Sequence, residues 1–435
     1  MLKTDPSAPD GGVRAPKAGE IIKLPHLART FRTLATEGKK GFYTGRIAEE
    51  IIRVVKSLGG HLELADLAHH LETGGSEPVE PISLKFTGQG LTNSSSGAAA
   101  AGGGIELWEH PPNGQGIVAL MALGILQELE RAGQIPTFTP ADHNTAPYLH
   151  AIIEALRIAF ADASWFVTDP AVVAGGVPTR QLISRPYLAA RARELFSPSR
   201  ASDILPTHGD PDSFFPSPAL SSSDTVYLCA ADADGNAISL INSNYGGFGT
   251  AIVPAGCGFT LQNRGANFSL APRHPNVVAP RKRPYHTIIP GLVTSVADGS
   301  LHSVFGVMGG FMQPQGHVQV LLGQLVGGLN PQQALDAPRV CIGAGMPDDD
   351  NDDDDGSGGG RVVFDRTVYV EEGMPEGTVE GLRRLGHRVE VVRGHPGRAL
   401  FGRGQIVRWS VDEVEGVGVW SAGSDMRGDG GAYPW

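Results

Sequence analysis

The sequence predicts an α+β protein whose helices and strands are segregated along the chain, and three observations carry that expectation. Apolar residues recur at helical spacing through much of residues 1–224. Short β-branched runs separated by turn residues dominate 225–435. The regular strand–helix alternation that builds a parallel sheet is missing. At 435 residues the chain exceeds what one small core organises, so two subdomains or one large layered sandwich are expected.

Taken in order, Ile47, Ile51, Ile52, Val54, Val55 and Leu58 follow helical spacing and stop at Gly59-Gly60, so two or three helices come first, between Ile21 and Leu71. From Ser76 to Glu109 the texture changes. The Gly/Ala/Ser tract from Asn93 to Gly104 has too few large apolar groups to pack, so a low-complexity insertion near 86–104 is expected to be exposed. Trp108 to Gln115 reads as a Pro/Gly turn, and Ile117 to Ala132 as a helix. A second helix near Ala146 to Ala163 must stop before Asp169-Pro170. Residues 197–223 are a Pro/Ser/Asp-rich linker. Thr225 to Ala231 and Ala237 to Asn242 then read as a hairpin turning at Asp232 to Asn236. Further strands are expected at Leu301 to Val307, Arg361 to Val370, Arg388 to Val392 and Gln405 to Val411, with helices at Gln315 to Leu325 and near Thr378 to Leu385. The acidic, Gly-rich stretch near 346–360 is a second insertion, without the turn glycine and terminal Glu of a calcium loop.

Charge narrows the partners. Thirty-five Lys and Arg face 46 Asp and Glu, and seven of those acids lie between Asp348 and Asp355, so the rest of the chain is nearly neutral. No basic face is available to displace counterions from a phosphate backbone, and no nucleic acid partner is expected. Cys229, Cys257 and Cys341 form neither a disulfide framework nor a CxxC pair. The polar start, Met1 to Gly19, has no signal-peptide core, and no apolar run reaches the length of a membrane span, so a cytoplasmic chain without membrane association is the default expectation.

GxGxxG, Walker, HExxH and GxSxG motifs are missing, and the fourteen histidines are scattered, so neither an organic cofactor nor a metal is expected. Thr225 carries a sharper hypothesis. A Thr at a strand start is a β-former in a β position. It is also what an N-terminal nucleophile requires. Cleavage between Asp224 and Thr225 would free an α-amino group of pKa about 7.7–8.0, able to take the proton of its own hydroxyl. Gly309-Gly310, between a strand and a helix, is either a plain turn or backbone bare enough to hold an oxyanion. Lys282 to Thr287 is either a solvated basic loop or a grip for a carboxylate.

These residues resemble the γ-glutamyltranspeptidase (glutathione hydrolase) family of N-terminal-nucleophile hydrolases. The matching stretches are Gly41 to Ala48, Gly59-Gly60 with Asp66 to Ala68, Pro111 to Gly116, Glu154 to Asp162, Thr225 with Asp232 to Asn236, Leu261 to Arg264, Lys282 to Pro284, Gly309-Gly310, Asp336 to Arg339 and Gly423 to Gly430. The resemblance implies a four-layer αββα sandwich. It implies a proenzyme cut between Asp224 and Thr225 into portions 1–224 and 225–435 that stay together as a heterodimer. It makes Thr225 the nucleophile, Gly309 and Gly310 the oxyanion hole, and Ser243 the hydroxyl partner of Thr225. The implied partner is a small amide or γ-glutamyl substrate such as glutathione.

Family members also carry a front segment, with a carboxylate-binding arginine, that has no counterpart here, so the expected sandwich is incomplete at its N-terminus. Where glutamyl-processing members place Asn, Gln, Asp and paired serines, this chain has Tyr245, Arg264, Asn267 and His286-Thr287. Loss of the acid, with Asn267 in its position, removes an attraction for a substrate ammonium, and Arg264 beside it adds a repulsion. Tyr285 to Thr287 and Met308 to His317 resemble instead the subgroup that includes oxamate amidohydrolase, whose substrate has an amide beside a carboxylate and no amino group. A third expectation is an inactive, truncated remnant retained as a binding module.

Overall fold

In the computed structural model both halves of the chain contribute strands to one antiparallel sheet. The structure describes every residue except 1, 10, 74, 92–102, 174, 203–224, 344–366, 413 and 435. It divides into two compact units, residues 1–78 with 248–263 and residues 79–247 with 264–435.

The smaller unit begins with paired strands β1 (Lys3–Thr4) and β2 (Val13–Arg14), followed by α1 (Pro25–Tyr43), α2 (Gly45–Ser57) and α3 (Leu64–Glu72). Three early helices agree with the sequence. Ile47 and Ile51, one turn apart on α2, form the small core with Cys257. Thr30 donates to the Cys257 carbonyl at 2.8 Å, tying the 248–263 segment to α1.

In the larger unit the elements are β3 (Ile82–Phe86), β4 (Ile105–Glu109), α4 (Gly116–Arg131), α5 (Ala146–Phe166), α6 (Thr179–Leu182), α7 (Arg185–Leu195), β5 (Thr225–Ala231) and β6 (Ala237–Ser243). Next come β7 (Gly291–Ser295), β8 (Leu301–Met308), α8 (Met312–Leu325), α9 (Pro331–Asp336), β9 (Val340–Ile342) and β10 (Thr367–Glu371). The chain closes with α10 (Glu376–Arg384), β11 (Arg388–Val392), α11 (Gly394–Gly397), β12 (Arg403–Val411) and β13 (Gly418–Ser424).

The main sheet has the order β13-β12-β8-β7-β4-β3. One face carries α4, α5 and α8, whose Leu, Ile, Val and Ala side chains join β4, β7 and β8 in the main core. Helices α4 and α5 are apolar around most of their circumference because they are covered on several sides. On the other face lies the β5–β6 hairpin. Its Tyr227 ring fills the space over Gly306 of β8, where an added Cβ would stand 2.4 Å from the ring. Asp232 Oδ1 accepts from the amides of Asp234 and Asn236 in the hairpin turn, as its Asp/Gly/Asn chemistry predicts.

Several expectations change. The front portion, expected to be mostly helical, also supplies two strands of the main sheet, β3 and β4. The low-complexity insertion near 86–104 is narrower than expected. Phe86, Leu91 and Gly104 are buried, and a Cβ on Gly104 would stand 2.4 Å from the Phe86 carbonyl. Residues 92–102 of that tract, residues 203–223 of the linker, the whole acidic insertion at 346–360 and residues 361–366 lie outside the described residues. Strands β7, β9 and β13 are short or Gly-rich, which hid their period-two pattern. One parallel βαβ unit exists after all, β10–α10–β11. Among the described residues, no helix is long and apolar enough to cross a membrane.

Candidate active site

Thr225 is the first residue of β5, is 4% exposed, and stands directly opposite Ser243 in the hairpin register. Period two puts Thr225 on the same face as Tyr227, the face turned to β8. Arg264, at the start of a 3₁₀ turn ending at Asn267, reaches Ser243. Its Nη2 donates to Ser243 Oγ at 2.6 Å and its Nη1 to Thr287 Oγ1 at 3.1 Å. The guanidinium also lies 5.5 Å from the centre of the Tyr245 ring.

This cluster is buried and rich in polar groups without hydrogen-bond partners among the described residues. Tyr245 Oη, Arg264 Nε, both amide atoms of Asn267 and His286 Nδ1 lack a hydrogen bond. Buried polar atoms are normally paired, so their concentration around one guanidinium marks this cluster as the candidate site. Burial lowers the Arg264 pKa to about 10, with the Tyr245 hydroxyl acting in the opposite sense. Burial, then the charges of Arg264, His110 and Arg283, lower His286 to about 3, so it stays neutral. Among the described residues, no carboxylate pairs with Arg264.

Gly309 and Gly310 follow β8 with φ of 131° and 59°, a region that favours glycine. A Cβ on Gly309 would approach Gly402 Cα to 3.1 Å. The carbonyls of Gly309 and Gly310 accept from the amides of Met312 and Gln313 at 3.0 and 3.2 Å, so the turn runs directly into α8.

The basic pair read as a candidate grip points elsewhere. Lys282 donates to the Pro275 carbonyl, and the Arg283 amide and Nε face Asp169 at 2.9 and 3.4 Å. Sequence reasoning also gave no role to Gln115, which is buried here, as is Tyr285. The signal available was the Pro111 to Gly116 match, in which Gly114 and Gly116 flank a glutamine.

No metal was expected, yet His150, Glu154 and His387 each bring a ligand atom within 4.8 Å of the others. Their hydrogen bonds already form a directed chain. The Ser197 carbonyl can only accept, so His150 Nε2 carries the proton at 2.8 Å. His150 Nδ1 then accepts from His387 Nε2 at 2.8 Å, and His387 Nδ1 faces Arg157 Nη1 at 3.4 Å. A cation would have to break this chain beside a guanidinium.

Residues 8–435 match the profile described as Gamma-glutamyltranspeptidase. The chain is 30% identical over 419 residues to the glutathione hydrolase-like YwrD proenzyme of Bacillus subtilis, covering 96% of this chain and 67% of that protein. It is 30% identical over 421 residues to the oxamate amidohydrolase proenzyme of Klebsiella pneumoniae, covering 96% and 66%. Among solved structures it superposes on a cephalosporin acylase from Bacillus halodurans with a TM-score of 0.73 and 36% identity, covering 97% of this chain and 64% of that one. The chain thus spans about two thirds of the length of these relatives. An α+β frame, a buried threonine opening a strand, a double-glycine turn and a match over nearly all its residues lead to one conclusion: this chain belongs to the γ-glutamyltranspeptidase family.

Proposed function

We propose that the chain is a self-cleaving amide-bond hydrolase with Thr225 as its N-terminal nucleophile. In maturation the Thr225 hydroxyl attacks the Asp224 carbonyl, the peptide C–N bond breaks to leave an ester and a free Thr225 α-amine, and water hydrolyses the ester to the Asp224 carboxylate and the Thr225 hydroxyl. In turnover that amine takes the Thr225 hydroxyl proton as the oxygen attacks the substrate carbonyl. The N–H groups of Gly309 and Gly310 receive the developing oxyanion. The proton passes to the leaving amine, and water hydrolyses the acyl ester.

The observation that carries the substrate side is Arg264, a buried cation without a carboxylate partner among the described residues. A buried charge is costly unless paired, so an anionic group on the acyl donor is the natural complement. A γ-glutamyl donor such as glutathione supplies one, and γ-glutamyl transfer or hydrolysis is the first reading. The same observation favours a second: a small oxo-acid amide such as oxamate, which has a carboxylate and no ammonium to be repelled by Arg264.

Intact mass of the purified chain tests the mechanism. Two fragments divided between Asp224 and Thr225 are expected, and a chain that stays whole yet turns over an amide would refute it. Parallel assays on oxamate and a γ-glutamyl anilide then rank the two donors. A folded but uncut chain that hydrolyses neither is the binding-module outcome.

A further inference from the structure

We propose that Gln115 is the positioning residue that holds the Gly309-Gly310 turn in register with the Arg264 pocket. The proposal rests on the reading of Thr225 and the double-glycine turn given above.

Gln115 is fully buried, and its side-chain amide reaches three places at once. Nε2 donates to the Gly310 carbonyl at 2.8 Å and to the Thr287 carbonyl at 3.2 Å. Oε1 accepts from the Tyr285 hydroxyl at 2.9 Å. One planar group therefore joins the double-glycine turn to the segment that holds Arg264, because Thr287 Oγ1 accepts from Arg264 and Arg264 donates on to Ser243. From Ser243 the hairpin register leads directly to Thr225.

The backbone around Gln115 is shaped to deliver that amide. Its own N–H donates to the His286 carbonyl at 3.1 Å, and the His286 N–H donates to the Asn113 carbonyl at 3.0 Å. Asn113 Nδ2 donates to the Pro284 carbonyl at 2.6 Å. Residues 113–115 thus run alongside 284–286 as a short parallel bridge. The two flanking glycines leave room for it. A Cβ on Gly114 would stand 2.7 Å from His286 Cε1, and one on Gly116 2.7 Å from Glu109 Cβ. The Tyr285 ring adds a second tie, stacking on Phe311 at 5.9 Å and 17°.

Geometry and bonding capacity match. A primary amide has two donors and one oxygen acceptor, and here two carbonyls and one hydroxyl meet them. All three partners lie beyond residue 225, so after cleavage this one residue of the front fragment would hold two pieces of the back fragment at a set distance. An oxyanion hole displaced by about 1 Å loses on the order of 100-fold in rate. Position, rather than contact with substrate, is what Gln115 supplies.

Two variants and two readouts test this. Gln115→Met keeps the bulk and removes the three side-chain hydrogen bonds. In the cleaved, folded protein it is expected to lower kcat by about 10- to 100-fold with KM changed less than threefold. Gln115→Glu is expected to be equally slow at pH 8, because a carboxylate cannot donate to either carbonyl. It should recover part of the lost rate as pH falls toward 6, since a buried carboxyl protonates there and regains one donor. Gln115→Met should show no such recovery. Hydrogen exchange is the second readout: peptides spanning 284–290 and 309–316 should exchange faster together in Gln115→Met.

Unchanged kcat, a loss confined to KM, or unchanged exchange in either peptide would overturn the proposal. If Gln115→Met fails to fold, Tyr285→Phe, which frees one end of the amide, carries the same exchange test. A wild-type chain that neither cleaves nor turns over refutes the Thr225 mechanism instead, and the exchange result still decides the role of Gln115.

Discussion

Arg264 donates to the hydroxyl of Ser243 at 2.6 Å, and Ser243 stands directly across the hairpin from Thr225. A buried cation is thereby held one side chain away from the proposed nucleophile. The segments that supply the two side chains are twenty-one residues apart.

Replacing Arg264 with Gln should weaken turnover of any anionic donor. A hydrogen bond to a charged group contributes about 1.5–3 kcal/mol, so kcat/KM should fall by roughly 10- to 150-fold, mostly through KM. Steady-state kinetics on a carboxylate-bearing amide and its methyl ester give the comparison. An equal loss on both would remove the anion-binding role.

Thr225→Ala should give a single uncut chain without amidase activity. Thr225→Ser keeps hydroxyl and amine, so it should still produce both fragments, more slowly. A denaturing gel followed over time reads both outcomes, and fragments from Thr225→Ala would point to a different cleaving group.

Gly306→Ala should destabilise the hairpin's seat. Its new Cβ would meet the Tyr227 ring at 2.4 Å, and overpacking of this kind costs about 1–3 kcal/mol. Adding Tyr227→Leu should return part of that loss, since the two sites are coupled. Denaturant midpoints of the two single variants and the double variant measure the coupling; strict additivity would argue against the contact.

Acid should destabilise the fold through its buried imidazoles. Burial, then Arg157 and His150, lower His387 to about 3, against about 6.5 in an unfolded chain. Between those values the unfolded state binds a proton that the folded state refuses, so stability falls as pH falls from about 6.5 toward 3 and is unaffected by this group above that range. The slope is at most about 1.4 kcal/mol per pH unit for each such group. Unfolding free energies of wild type and His387→Gln between pH 5 and 7.5 isolate the contribution. Identical slopes in the two proteins would contradict it.

Asp425→Asn should cost about 3–5 kcal/mol by breaking a buried charge network. Asp425 meets Arg339 at 2.6 Å and Arg427 at 3.0 Å, and it accepts from the Gly404 amide at 2.9 Å. Arg339 in turn holds the Phe401 carbonyl beside Gly402, which packs on Gly309. Urea unfolding measures the loss, and a change below about 1 kcal/mol would mean that the network relaxes around the neutral side chain.

Much of this was legible without coordinates because it is local. Helical spacing marked α2, α4 and α5, turn chemistry marked the β5–β6 hairpin, and Gly309-Gly310 between a strand and a helix marked the turn. Resemblance then supplied names for Thr225, Ser243, Arg264 and His286. The membership of β3 and β4 in a sheet with β7 and β8 was not legible, since short strands carry little periodicity and their partners lie about 190 residues away.

The chain alone therefore determined which segments are helices and hairpins and which side chains are candidates for chemistry, because backbone sterics and apolar spacing act over a few residues. Tertiary structure decided what meets what. It left Lys282 and Arg283 facing Pro275 and Asp169, set Arg264 against Ser243 and Thr287, and drew Gln115 across to Gly310. Such pairings follow from burial of polar groups that must find partners wherever packing brings the backbone, and that geometry is written in no local pattern.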